Sequence, residues 1–286
     1  LASDQLLIGC AVVSLGYAST ALLFVADLAA KSFLFDESFV GGPFATRFVD
    51  GGSGCRNATF TAKGVSLSVG DRGMALTVAR NKQRGQDLSL QVSAVPGRQA
   101  PAMGAVVPVQ GGFANATEKR YCRVRGRASL GARSFAFTDT LMGTDHTRGV
   151  LARATAWRWA FLLGRTTSGA TIVLNLVEGF VGEAECCVWI DGELYPLGEG
   201  RFSYDAARPL SEWRISTSCG SVELRFSPFA MHRETKELLF VRSNFMQPVG
   251  GFSGTVRVPT PKQREPQTTF FLENVPGVSE HQDVLW

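Results

Sequence analysis

The sequence predicts an all-β chain with little helix, and three observations carry that prediction. Strand-length apolar runs recur at short intervals, each bounded by Gly, Asp or Asn, as a meander of hairpins requires. Alternation is visible inside them: in Val65-Ser66-Leu67-Ser68-Val69 the apolar residues fall on one face and the serines on the other. No amphipathic helical pattern longer than about three turns separates the runs.

The first runs are Leu6 to Val13 and Ala21 to Val25, meeting near Ser14-Leu15-Gly16-Tyr17, where Gly16 supplies the turn. No charged residue occurs from Gln5 to Ala26, a length that also meets the crude criterion for a membrane span. Ser14, Ser19, Thr20, two glycines and an acid at each flank, Asp4 and Asp27, favour two strands. Ser32 to Phe35, Ala58 to Ser68, Met74 to Ala79 and Leu88 to Val92 follow. Residues 95 to 118 carry Pro96, Pro101, Pro108 and Gly111-Gly112, and read as a long connection with one short strand at Ala105 to Val109. This places the expected boundary between an N-terminal β-barrel-like domain, 1–110, and a C-terminal one, 111–286.

The second series opens with Tyr121-Cys122-Arg123-Val124-Arg125-Gly126-Arg127, whose alternating arginines require one face in solvent or in a polar interior. It continues through Ser134 to Phe137, Thr155 to Leu163, Thr171 to Leu176, Cys186 to Ile190, Ser221 to Phe226, Leu238 to Val241 and Gly251 to Val256. Residues 257 to 268, with Pro259, Pro261 and Pro266, read as a polar loop, after which Phe270-Phe271-Leu272 returns to the sheet.

Composition narrows the functions. Of 286 residues, 45% are hydrophobic and 19% charged, which describes a chain with a sizeable core. The net charge of +4 (29 basic less 25 acidic residues) is scattered, so no nucleic-acid groove is expected. Six cysteines without a C-x-x-C pair, and only three histidines, give no metal or redox motif. Cys186 and Cys187, adjacent in a strand, point to opposite faces and should not pair with each other. Phosphate loops, dinucleotide fingerprints, nucleophile elbows and zincin motifs are all missing, so no cofactor is expected. Two sequons occur, Asn57-Ala58-Thr59 and Asn115-Ala116-Thr117.

The most informative stretch begins at Thr144. Asp145-x-x-Arg148-Gly149, Trp157-x-Trp159-Ala160, Gly169, Leu174-Asn175-Leu176, Glu185, Trp189-x-Asp191-Gly192, Trp213-x-Ile215, Leu224-x-Phe226-x-Pro228 and Gly250-x-Phe252-Ser253-Gly254 follow in one order. Together with Gly16-Tyr17-Ala18 and Val25-Ala26-Asp27-Leu28, this series resembles the family known as domain of unknown function 2804. The resemblance implies two consecutive lipocalin-like antiparallel barrels or sandwiches, distantly similar to proteins of the carotenoid hydratase and tocopherol cyclase type. It names no reaction. The chain departs from the family's pattern at His146, where an aromatic residue is usual, and at Cys186, where an asparagine is usual. The ending Glu280-His281-x-x-x-x-Trp286 is only roughly similar to the family's acidic, histidine and tryptophan tail.

Candidate site residues follow from chemistry. Trp157 and Trp159, two apart in a strand, project to one face and form either an aromatic wall for an apolar ligand or ordinary core packing. Asp145, His146 and Arg148 can provide acid, base and an anion holder, or alternatively a turn in which Asp145 caps amides and pairs with Arg148. Asn175, between two leucines, is a ligand contact or a member of a buried hydrogen-bond network. Glu178, Glu183 and Glu185 surround the Gly179 to Gly182 turn, and Glu185 is the carboxylate whose burial beside aromatics would make it a working acid.

The expected function is binding of a hydrophobic small molecule of the isoprenoid or lipid class, with Trp157, Trp159, Asn175, Arg148 and His146 near the ligand. Two alternatives stand beside it. One is a structural or accessory subunit with protein partners; the other is a cofactor-free hydratase, cyclase or isomerase using Asp145 or Glu185. Residues 6–25 could also touch a membrane peripherally. Leu1 at the start suits cleavage of an organellar import sequence, with the cytoplasm as the other expectation.

Overall fold

The computed structural model describes residues 1–50, 56–62, 64–79, 87–97, 100–109, 111, 113–238, 241–259 and 267–285. Cys55, Trp286 and positions 260–266 of the proline-rich loop lie outside them. The chain divides into two compact units: Leu1–Asp27, Phe33–Gln99 and Tyr121–Thr144 form the first, and Leu28–Ser32, Ala100–Arg120 and Asp145–Trp286 the second. All sheets are antiparallel, and one short 3-10 turn is the sole helix among the described residues.

In the first unit, β1 (Leu6–Ser14) and β2 (Ser19–Asp27) pair with Leu6 opposite Asp27 and Ser14 opposite Ser19. The uncharged stretch is therefore a hairpin, with Gly16 at φ 82° in its turn. No helix of the described residues is long and apolar enough to cross a membrane. β3 (Ser32–Gly41) lies beside β2. A meander follows: β4 (Thr46–Asp50), β5 (Arg56–Ala62), β6 (Val65–Gly70), β7 (Gly73–Val78) and β8 (Leu88–Ala94). The run read as one strand from Ala58 to Ser68 is two, because Gly64 takes φ 79° and lets Ala62 pair with Val65. β4 carries too few apolar residues to show in the sequence.

The 95–118 stretch differs from the expected connection. It holds β9 (Met103–Val109) and the start of β10 (Phe113–Leu130), which is followed by β11 (Arg133–Gly149). Pro108 fits because, among the described residues, β9 pairs with β10 on one side alone, an edge position where a missing N–H is tolerated. β10 changes partners along its length, with Phe113 to Lys119 facing β9 and Val124 to Leu130 facing β8. The first unit's core is apolar: Phe60, Leu67, Leu76, Leu90, Val124 and Met142 pack in one cluster.

The second unit is built on nine further strands. β12 (Ala154–Arg165) and β13 (Thr171–Gly179) lead to the 3-10 turn Gly182–Glu185, then β14 (Cys187–Ile190), β15 (Glu193–Pro196), β16 (Gly200–Ser203) and β17 (Trp213–Thr217). Three long strands complete it: β18 (Val222–Leu238), β19 (Val241–Pro259) and β20 (Gln267–Leu285). Their order is β15-β14-β13-β12-β20-β19-β18-β17-β16. The sheet curls until β16 meets β13, so closely that a Cβ on Gly200 would stand 2.9 Å from the Val177 carbonyl oxygen. Trp213, Phe226, Phe252, Leu174 and Val188 fill the inside of this curl.

Candidate functional site

The site grows from β12, which lies between β13 and β20 in the nine-stranded sheet. Successive residues of a strand face opposite ways. Trp157, Trp159 and Phe161 thus share one face, while Arg158, Ala160 and Leu162 share the other, the last two within the apolar cluster. Trp159 stacks on Phe161 with centroids 5.6 Å apart, and Trp157 packs against Phe180 at 5.4 Å.

Both indoles are tied by their N–H groups. Trp159 Nε1 donates to Asn175 Oδ1 at 2.7 Å, and the Asn175 amide donates onward to the Glu185 carbonyl at 2.7 Å. Asn175 is fully buried and belongs to an internal network, the second of its two expected roles. Trp157 Nε1 donates to Glu280 Oε1 at 2.6 Å, and Gln247 Nε2 donates to Glu280 Oε2 at 2.8 Å. Glu280 sits opposite Trp159 in the β12–β20 ladder.

The first half of β10 supplies the other wall. Asn115, Thr117 and Lys119 alternate onto one face, and all three are buried. The Lys119 side chain is 2% exposed. Its Nζ stands 2.5 Å from Asp145 Oδ2 and 2.5 Å from Glu185 Oε1, and it also donates to Thr117 Oγ1 at 3.5 Å. These three partners use the three ammonium protons. Trp159 presents its ring 5.7 Å from the same nitrogen, within cation-π range. Thr147 Oγ1 donates to Thr117 Oγ1 at 3.0 Å, extending the network along β11. Asp145, 40% exposed, is where it reaches solvent.

The electrostatics follow from these distances. Burial pulls the Lys119 ammonium down, but Asp145 and Glu185 outweigh it and hold its pKa above the ordinary lysine value. Burial pushes Glu185 up, with Lys119 opposing and Asp145 reinforcing. Burial also pushes Glu280 up to about 7, against the pull of its two hydrogen-bond donors. Asn115 is 2% exposed, yet neither atom of its side-chain amide has a hydrogen-bond partner.

The structure thus brings together Asp145, Glu185, Trp159 and Asn175, with Trp157 beside them through Glu280. Asp145 to Arg148 lies within β11, a strand and not the turn weighed above, so His146 and Arg148 alternate away from Asp145. Neither is without a partner there. Glu185 closes the 3-10 turn just before β14. Cys186, on the other side of Glu185, bonds the backbone of Val177 through its thiol at 3.3 Å. Sequence reasoning missed Lys119, Gln247 and the role of Glu280. The available signal was a polar residue at every second position, 115, 117 and 119, at the mouth of a strand.

The family model described as Domain of unknown function (DUF2804) matches residues 1–286. The chain belongs to this family. No functionally curated protein matches it in sequence. Solved structures similar to this DUF2804 chain include kievitone hydratase from Nectria haematococca, with 12% identity over 96% of this chain and 82% of that one, at a TM-score of 0.47. A protein provisionally assigned as AttH from Nitrosomonas europaea is 11% identical over 96% and 84% of the two chains, at a TM-score of 0.48. The chemistry of this DUF2804 member is therefore read from its own side chains.

Proposed function

We propose that the second unit binds a hydrophobic small molecule of isoprenoid type and acts on it by proton transfer, as a cofactor-free hydratase, cyclase or isomerase does, with Glu280 as proton donor. The observation that carries this reading is a buried carboxyl, poised near neutrality, between an indole N–H and an amide N–H. With those donors each holding one oxygen, the acidic hydrogen of the protonated form lies along a remaining lone pair, available to a guest. A carbocation formed by that transfer would meet the rings of Trp157 and Trp159. The Lys119, Asp145 and Glu185 cluster carries one excess negative charge and would stabilise it further. Asp145 and Glu185 hold the lysine in this reading, and Glu280 takes the acid role first sought in them. The unpartnered amide of Asn115 supports a guest with a polar group, since buried amides are otherwise satisfied.

The test is native mass spectrometry of the protein purified from its source, followed by lipid extraction. A stoichiometric apolar ligand is expected. Incubated with that ligand in deuterated water, the protein should place deuterium on carbon, and Glu280→Gln should slow this by about a hundredfold while still holding the ligand. Reproducible protein partners with no ligand would overturn the reading in favour of an accessory subunit.

A further inference from the structure

The opposite face of β12 and β20 carries a second set of ionisable groups that the site above does not use. Arg158 pairs with His281 across the ladder, so both point away from Trp157, Trp159 and Glu280. The Tyr204 hydroxyl contacts His281 Nδ1, and His281 Nε2 lies 3.0 Å from Asp283 Oδ2. Asp283 is an acceptor, so Nε2 carries the hydrogen. With the hydrogen on Nε2, Nδ1 is the ring nitrogen placed to accept the phenol hydrogen. This is the order of a nucleophile, an imidazole base and an orienting carboxylate, with a phenol in the first place.

Two further features define the surroundings. Tyr204 stacks on the buried Trp213 with centroids 3.8 Å apart and planes 7° from parallel, which fixes the phenol's direction. Arg158 donates to Glu178 Oε2 at 2.8 Å, whereas its buried Nε has no partner; burial holds the Tyr204 phenol above its ordinary pKa, with the neighbouring Arg158 pulling against it. A half-buried cluster open at Asp283, 55% exposed, thus offers a proton acceptor backed by a relay beside a spare guanidinium donor.

We infer that Tyr204, His281 and Asp283 form a second acid–base centre, which enolises a carbonyl compound whose oxygen is held by Arg158. A C–H bond next to the carbonyl breaks, and its hydrogen passes to the Tyr204 oxygen as the phenol hydrogen passes to His281 Nδ1. The electron pair of that C–H bond becomes the enolate, its charge resting on the oxygen at Arg158, and Asp283 balances the imidazolium. Tyr204 is the catalytic residue; His281 and Asp283 act through it. The centre stands independently of Glu280, from which the sheet separates it.

The relay is tested by labelling the whole chain at neutral pH with 4-(2-aminoethyl)benzenesulfonyl fluoride. The phenol oxygen bonds to sulfur, fluoride leaves and the proton goes to His281. Tyr17, 61% exposed, sets the rate of an ordinary phenol. Tyr204 should label faster than Tyr17, and Asp283→Asn should lower the Tyr204 rate alone while nitrogen NMR shows His281 losing its fixed Nε2–H tautomer. Equal labelling in the wild type and Asp283→Asn, or none at Tyr204, would overturn the relay. The substrate class is tested by hydrogen exchange of 2-tetralone in deuterated water, followed by proton NMR. Acceleration of about a hundredfold that Tyr204→Phe abolishes is expected. No acceleration, or the same acceleration in Tyr204→Phe, would overturn enolisation even if labelling succeeds.

Discussion

The two ends of β10 obey the same alternation and bury opposite chemistry. In the first unit its inward residues are Val124, Ala128 and Leu130; in the second they are Asn115, Thr117 and Lys119. The difference extends to the units themselves. Among the described residues, the first buries Ser19 and Thr140 as its polar side chains, while the second buries Lys119, Glu185 and Glu280. A β-sheet of this kind folds around a mainly apolar interior, as the first unit does. Placing a lysine and two carboxyls inside costs desolvation that packing does not require, which points to use.

Breaking the polar end should have the largest effect. Lys119→Met leaves Glu185 buried without its cation and should cost about 3–5 kcal/mol in urea unfolding, whereas Lys119→Met with Glu185→Met should recover much of it. A single-variant loss below about 1 kcal/mol would show that the cluster relaxes into water. Leu76→Ala, at the centre of the apolar core, should cost about 2–5 kcal/mol and speed amide exchange in β6 and β7. It should leave ligand content unchanged, and loss of ligand there would erase the contrast between the regions.

Glu280 sharpens the comparison through pH. Its folded pKa of about 7 stands above its ordinary 4.5, so the folded state holds the proton more tightly than the unfolded chain. Stability contributed by the protonated form is complete below about 4.5 and declines as pH rises toward 7, by up to about 3 kcal/mol. Glu280→Gln should flatten that slope in melts run across the window; an unchanged slope would place the titration elsewhere. The smallest effect belongs to Arg123→Ala in the first unit. Its 2.5 Å pair with Asp139 lies at the surface and should be worth less than about 1 kcal/mol.

The strands and hairpins were legible where alternation and turn residues coincide, as at Gly16 and in β6. The short strand at Ala105 to Val109 was readable despite Pro108 and begins two residues earlier, at Met103; the break at Gly64 was hidden, because its left-handed turn lies within an apparently continuous run. The shared face of Trp157 and Trp159 was readable from spacing alone, and so was the need of Asn175 for partners. Lys119 and Glu280 were not, because their meaning depends on β20 lying beside β12 and on Lys119 of β10 reaching the Trp159 ring. The turn in which Asp145 would pair with Arg148 was one of two readings of that stretch, and the strand β11 instead turns His146 and Arg148 to the face opposite Asp145.

The position of β12 between β13 and β20 also sets an order of assembly. Its hairpin with β13 is local, but its other edge waits for a strand whose Glu280 is 123 residues away from Trp157. During synthesis that edge is an open row of amides flanked by two large indoles, a template for mispairing. Closure therefore comes late and is slow, as pairing distant in sequence generally is. Arg158 and Glu178, paired across the early hairpin, place charge on the waiting edge and so protect it until β20 arrives.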